Sequence, residues 1–141
     1  VIHLYDACVF KREVLAVVAE GVNARGRGVP VAWSKRDEAL SDSLLERGCN
    51  MQHRPVSDTD GSAEMMTRDL WERMRTGRFK VDKRLQEWIG EFKTFTREGD
   101  KIPRDTHPLM AATRFALQDL DYATATSRAH RKPLKMQVAT V

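Results

Sequence analysis

MMTRDLWERMRTGRFKV (residues 65–81), LQEWIGEFKTFTREGDKI (85–102) and HPLMAATRFAL (107–117) set the frame for this chain. In the first stretch Met66, Leu70 and Met74 recur every four residues beside Trp71, and Gly77 follows. That spacing predicts an amphipathic helix over 63–76 with a glycine stop. In the second, Leu85, Trp88 and Phe92 share one helical face, which predicts a helix over 82–93. Glu98, Gly99 and Asp100 between Phe95 and Ile102 predict a hairpin. In the third, Thr106 or His107 is placed to cap a helix, and Pro108 suits its first turn. Leu109, Ala112, Thr113, Ala116 and Leu120 form one side of that helix, which is expected to end near Tyr122.

Upstream, VIHLYDACVF (1–10) is rich in β-branched and aromatic residues and predicts a strand. Residues 11–24 predict a helix with Val14, Leu15, Val18 and Val22 on one side and Gly26 and Gly28 beyond its end. VPVAW (29–33) is a short apolar run of the kind buried on both faces of a sheet. Strand, helix and strand in this order imply an α/β sheet. A further helix is expected over 37–47, carrying Ala39, Leu40, Leu44 and Leu45 and stopped by Gly48. A short strand is expected over 50–54, then a loop of turn formers, PVSDTDGS (55–62).

Composition bounds the class. A chain of 141 residues with 41% hydrophobic and 31% charged residues fits one globular domain that buries roughly two-thirds of its unfolded surface. No apolar run approaches the roughly 20 residues of a membrane span, which points to an intracellular protein. Cys8 and Cys49 are isolated from each other and from any Cys/His cluster, so neither a zinc site nor a disulfide framework is indicated. The net charge of +4 is mild, but Arg128, Arg131, Lys132 and Lys135 follow Asp121 with no acid among them. That tail is either a phosphate contact or a solvated, mobile end. A GxxxxGK[ST] phosphate loop and a GxSxG elbow are both missing from the sequence.

PVAWSKRD (30–37), LWERMRTGRFKV (70–81), EWIGEFKTFTREGDKIP (87–103) and HPLMAATRFA (107–116) occur in that order. Together they closely resemble the C-terminal ribonuclease H-like nuclease domain of viral (bacteriophage) terminase large subunits, over nearly all of residues 1–122. The resemblance implies an α/β fold, a ribonuclease H-like mixed sheet flanked by helices, lacking the family's first strand. Residues 1–122 are then part of the nuclease domain and 123–141 a basic flexible tail. It further implies a metal-dependent endonuclease that cuts concatemeric double-stranded DNA during genome packaging, in the cytoplasm of the infected bacterial host. The implied partners are the packaging ATPase domain, the small terminase subunit and the portal, with no membrane. The alternative is a catalytically deficient terminase-derived module that binds DNA or protein.

Cleavage in the family uses two Mg²⁺ or Mn²⁺ ions held by carboxylates. Hard oxygen ligands suit these ions, and a pair about 3.5–4 Å apart stabilises both the attacking and the leaving oxygen. In the family one acid lies on the first strand, ahead of the part that VIHLYDACVF resembles. A second follows the VPVAW strand, where Asp37 stands one position off. A third opens the last helix, where a gapless match places His107 and Pro108, with Asp105 just before them. The resemblance therefore assigns Asp37 and Asp105 as catalytic metal-binding acids and His107 as a further ligand. Each also has a plainer reading: Asp37 as an acid at a helix N-terminus, Asp105 as a cap, His107 as a cap or a solvated residue.

Lys80, Lys83, Arg84, Arg131 and Lys132 are the candidate DNA-backbone contacts, against the alternative of an ordinary solvated face. Trp71, Trp88, Phe92 and Phe95 have the residue types for base stacking, but their helical spacing favours core packing.

Overall fold

The computed structural model describes residues 1–120 and the strand residues 139–140. The expected helix end at Tyr122 and the basic tail residues Arg128, Arg131, Lys132 and Lys135 lie outside the described residues. The architecture is mixed α/β. In chain order it comprises β1 (Ile2–Leu4), β2 (Cys8–Val9), α1 (Leu15–Ala24), a 3-10 turn (Lys35–Asp37), α2 (Glu38–Glu46) and α3 (Asp60–Arg75). Then come β3 (Phe79–Val81), α4 (Gln86–Thr94), α5 (Pro108–Gln118) and β4 (Ala139–Thr140). β1 pairs in parallel with β3, Ile2 opposite Phe79 and Leu4 opposite Val81, and β2 pairs in parallel with β4.

The strand expected over 1–10 is thus two strands. The β1–β3 ladder closes where the Asp82 N–H donates to the Leu4 carbonyl at 2.8 Å. The chain then turns away through Asp6, whose carboxylate meets Arg25 at 3.2 Å. VPVAW is extended but forms no continuous strand: Val31 and Ser34 make isolated parallel bridges to Met51 and Val56. Pro30 and Pro55 supply the physical reason, since neither has an N–H to give to a ladder. Three backbone bonds still tie the two runs together, Val31 to Asn50 at 2.8 Å, Gln52 to Val31 at 3.0 Å and Val56 to Trp33 at 2.8 Å.

Helix ends follow local chemistry. α1 begins later than expected because Arg12 takes a left-handed φ of 53° and interrupts the lead-in. α3 begins earlier than its apolar spacing suggests, because the Thr59 hydroxyl accepts the Ser62 N–H at 3.1 Å. It ends as expected at Gly77, whose φ of 72° lets the Arg78 N–H reach the Arg73 carbonyl at 2.7 Å. α4 starts only at Gln86, since the Asp82 side chain accepts the Arg84 N–H at 2.9 Å and holds residues 82–85 as a turn. The expected hairpin is present as a tight turn, with reciprocal bonds of 3.0 and 3.2 Å between Glu98 and Lys101.

The core gathers around α5, whose residues Leu109 through Phe115 are all buried. Leu109, Met110, Ala112 and Leu117 pack with Ile2, Leu4, Met66, Leu70, Phe79 and Trp88, which joins α5 to β1, β3, α3 and α4. A second cluster, Val18, Ala19, Val22, Leu44, Cys49 and Met51, joins α1 and α2 to the extended run at Val31. Ala111 and Phe115 of α5 meet Val56 and Ala32 between the two. Burial raises the thiols of both Cys8 and Cys49, and neither is in a disulfide. No helix among the described residues is long and apolar enough to cross a membrane.

Candidate functional site

Between the α1–α2 pair and α5 lies a cleft of about 340 Å³. Its floor is apolar, with Val22, Leu44, Met51 and Phe115, and its polar lip carries Ser34, Asp37, Arg104 and Asp105. An apolar cleft with a few convergent polar groups is the usual form of a binding site.

Sequence order explains how the lip is assembled. Ser34 ends the extended run 31–34 and its hydroxyl accepts the Arg36 N–H at 3.3 Å, which starts the 3-10 turn leading into α2. That turn places Asp37 over the cleft. Pro103 stops the chain after the hairpin, and the stretch that follows brings Arg104 and Asp105 to the same lip before Pro108 opens α5.

An ion-pair network ties the lip together. The buried Ser34 hydroxyl donates to Asp58 Oδ2 at 2.9 Å. Arg104 Nε lies 3.2 Å from the same Asp58 oxygen, and Arg104 Nη2 lies 3.2 Å from Asp37 Oδ2. Arg36 Nε stands 3.8 Å from Asp58. The Arg104 guanidinium also lies over the Phe115 ring, 5.8 Å from its centre. Close behind is Arg114, buried within α5 and set over Phe95 at 5.7 Å. Burial pulls its guanidinium down to about 10, opposed by the attraction of Asp58 and assisted by the repulsion of Arg104. It remains a cation at neutral pH.

The fold therefore brings two of the expected site residues together and separates the third. Asp37 and Asp105 line one cleft, Asp105 at its exposed edge. His107 turns toward α4, where its Nε2 meets Thr94 Oγ1 at 3.0 Å, its Nδ1 meets Thr106 Oγ1 at 2.8 Å and its ring packs edge-on against Phe95. With both ring nitrogens partnered by hydroxyls, ligating a metal would require one of these hydrogen bonds to be given up. No group of three His, Cys, Asp or Glu side chains among the described residues is placed to hold a metal ion. Asp37 and Asp58 are both engaged by Arg104. The described residues consequently do not fit the two-ion set that the terminase resemblance implies.

Two residues of this region carried no signal in the sequence. Asp58 sits in DTDGS, where an acid is an ordinary turn former. Glu91 is a helix residue of α4, yet its carboxylate accepts the N–H groups of Leu109 at 3.2 Å and Met110 at 3.1 Å. It caps α5 from another helix, at the place where the resemblance expects paired acids on the chain itself. The His107 side chain does not cap α5. We expect Glu91→Ala to cost about 1 kcal/mol in urea unfolding. Glu91→Gln, which keeps one acceptor oxygen, loses less. Equal losses in the two variants would show that the carboxyl oxygen does not act as a cap.

Among the candidate DNA contacts, Lys80, Lys83 and Arg84 are exposed. Arg84 grips Asp82 through Nε at 3.0 Å and Nη2 at 2.8 Å, and this bond holds the Asp82 carboxyl down at about 2. Part of its charge is thereby neutralised locally. Arg131 and Lys132 lie outside the described residues. Trp88 and Phe92 stack within the core at 5.6 Å, as their spacing predicts. Trp71 departs from that expectation: it touches Phe92 at 5.8 Å but is 56% exposed.

Compared with protein-family models, with curated proteins and with solved structures, the chain has no match.

Proposed function

We propose that the chain belongs to a ribonuclease H-like nuclease domain of a bacteriophage DNA-packaging terminase, acting on concatemeric double-stranded DNA in the infected host. The observation that carries this reading is the convergence of Asp37 and Asp105, far apart in sequence, on one cleft. Both are the acids that the terminase resemblance implies for metal contact, Asp37 one position and Asp105 two positions from the family's pattern. Hydrolysis in such a domain uses Mg²⁺ or Mn²⁺ ions, which would supply Lewis-acid activation of the phosphate and of water. Because the described residues do not fit such ions, the contribution derived for this chain is confined to binding. A guanidinium has five N–H donors, and Arg104 Nη1 makes no hydrogen bond to the described residues, so it has donors left for a phosphate oxygen. Lys80 and Lys83 add exposed positive charge that can meet a DNA backbone. The packaging ATPase domain, the small subunit and the portal are the partners this reading implies.

A second reading, a terminase-derived module that binds DNA or protein without cutting, is favoured by the Asp37–Arg104–Asp58 network. Cleavage of supercoiled plasmid in Mn²⁺ by the wild type, Asp37→Ala and Asp105→Ala separates the two. The nuclease reading expects nicking by the wild type that each substitution reduces by about 100-fold or more. Equal rates in all three proteins would remove both residues from the reaction. No nicking by any of them, together with salt-dependent duplex binding whose slope falls by about 1 in Lys80→Ala or Lys83→Ala, supports the binding module. Absence of both nicking and duplex binding overturns the terminase reading.

A further inference from the structure

The Asp37–Arg104–Asp58 arrangement brings two carboxylates from separate parts of the chain onto one side chain. Asp37 ends the 3-10 turn before α2, and Asp58 comes from the loop before α3. The Arg104 side chain is 20% exposed and that of Asp58 11%, whereas that of Asp37 is 48% exposed. Two carboxylates drawn onto one side chain repel each other unless a cation stands between them, and the desolvation is felt at the shielded Asp58 more than at the half-exposed Asp37. In two-ion hydrolases divalent metals fill that role. Here a planar guanidinium does so: its Nη2 donates to Asp37 at 3.2 Å, and its Nε lies 3.2 Å from Asp58 as an ion pair.

Each member is held from behind. Ser34 donates to Asp58 and accepts from the Arg36 backbone, the Asp37 N–H donates to the Ser34 carbonyl at 2.9 Å, and the Arg104 guanidinium rests over Phe115. Arg36, 3.8 Å from Asp58, and the buried Arg114 behind it add further positive charge facing Asp58. A divalent ion entering this set would meet carboxylates already neutralised and a guanidinium that repels it.

We propose that Arg104 is the resident cation of this cleft, occupying the place between Asp37 and Asp58 that a divalent ion would otherwise take, so that the acid pair is complete without a metal. The proposal concerns the electrostatics of the cleft and rests on the binding-module reading, since Mn²⁺-supported nicking that requires Asp37 would contradict it. It makes Arg104 a structural counter-ion, and it assigns the cleft's preference to anions that can share the remaining guanidinium donors.

Mn²⁺ titration followed by electron paramagnetic resonance and by thermal unfolding tests it, with Mn²⁺ alone as the probe. The wild type is expected to show no Mn²⁺ binding that depends on Asp37 or Asp58, and no rise in melting temperature with the ion. Arg104→Gln, which removes the charge and leaves both acids facing each other, is expected to melt lower. It should also gain Mn²⁺ affinity by roughly tenfold or more. Saturating ion then raises its melting temperature by about 4 °C. Adding Asp58→Asn to Arg104→Gln abolishes that gain, and Arg104→Lys, which keeps the positive charge, excludes the ion as the wild type does. Wild-type binding of Mn²⁺ that Asp37→Asn or Asp58→Asn removes overturns the proposal, as does a folded Arg104→Gln protein with no gain. If Arg104→Gln fails to fold, the wild-type and Arg104→Lys titrations decide. Duplex binding is a separate readout, so failure of the binding-module reading is distinguishable from failure of this proposal, whereas Asp37-dependent nicking in Mn²⁺ would overturn the proposal.

Discussion

Trp88→Ala is expected to lower the stability of the fold by about 3–5 kcal/mol, read as a shift in the urea midpoint with little change in slope. Trp88 is 1% exposed and lies where α4 meets α5 and the β1–β3 pair. Its ring stacks on Phe92 with planes 8° apart, and on Phe79 at 6.2 Å. The indole N–H donates to the Thr113 hydroxyl at 2.9 Å, and that hydroxyl donates to the Leu109 carbonyl at 2.8 Å within α5. Truncation therefore opens a large void and also leaves the buried Thr113 without one of its partners. Trp88→Phe preserves most of the volume and loses only the N–H, so it should fall well short of the alanine loss. A loss below about 1 kcal/mol for Trp88→Ala would mean that the α4–α5 contact is not a principal support of the core.

Asp58→Ala is expected to cost about 3 kcal/mol, although the residue lies in a surface loop of turn formers. The substitution leaves Arg104 with one acid where it had two, deprives the buried Ser34 hydroxyl of its acceptor and removes the attraction that offsets the burial of Arg114. The cost comes from a hydroxyl without its acceptor and from cations with less compensating charge in a shielded site, more than from the worth of the ion pair itself. Asp58→Asn retains an acceptor for Ser34 and loses less. Asp42→Ala, on the exposed face of α2, serves as the control and stays within about 0.5 kcal/mol of the wild type. If Asp58→Ala and Asp42→Ala behave alike in urea titrations, the network contributes nothing to stability.

Helices were the most legible part of this chain, because their apolar spacing is local. Met66, Leu70 and Met74, with Gly77 behind them, predict α3 and its end, and the turn at Gly99 predicts the hairpin. Strands were less legible. Residues 1–10 carry uniform β-forming composition, yet β1 and β2 take different partners, Phe79–Val81 and Ala139–Thr140, that lie far along the chain. Nothing local marks the switch at Tyr5–Ala7. The motif order pointed to Asp37 and Asp105, which share the cleft, but also to His107, whose ring is drawn away by Thr94 and Thr106.

Amino-acid order by itself determined the alternation of helices and extended runs, the glycine stops, and the apolar faces that build an α/β core. These depend on neighbours within one or two turns, so they can be read without knowing the fold. Only the tertiary structure decided which charges meet. Asp58, Arg104 and Asp37 come from three separate segments, and Glu91 reaches α5 from α4, so each pairing exists only once distant backbones are packed. That packing also decided the character of the cleft, because it placed a guanidinium between two carboxylates where the motifs alone suggested metal ions.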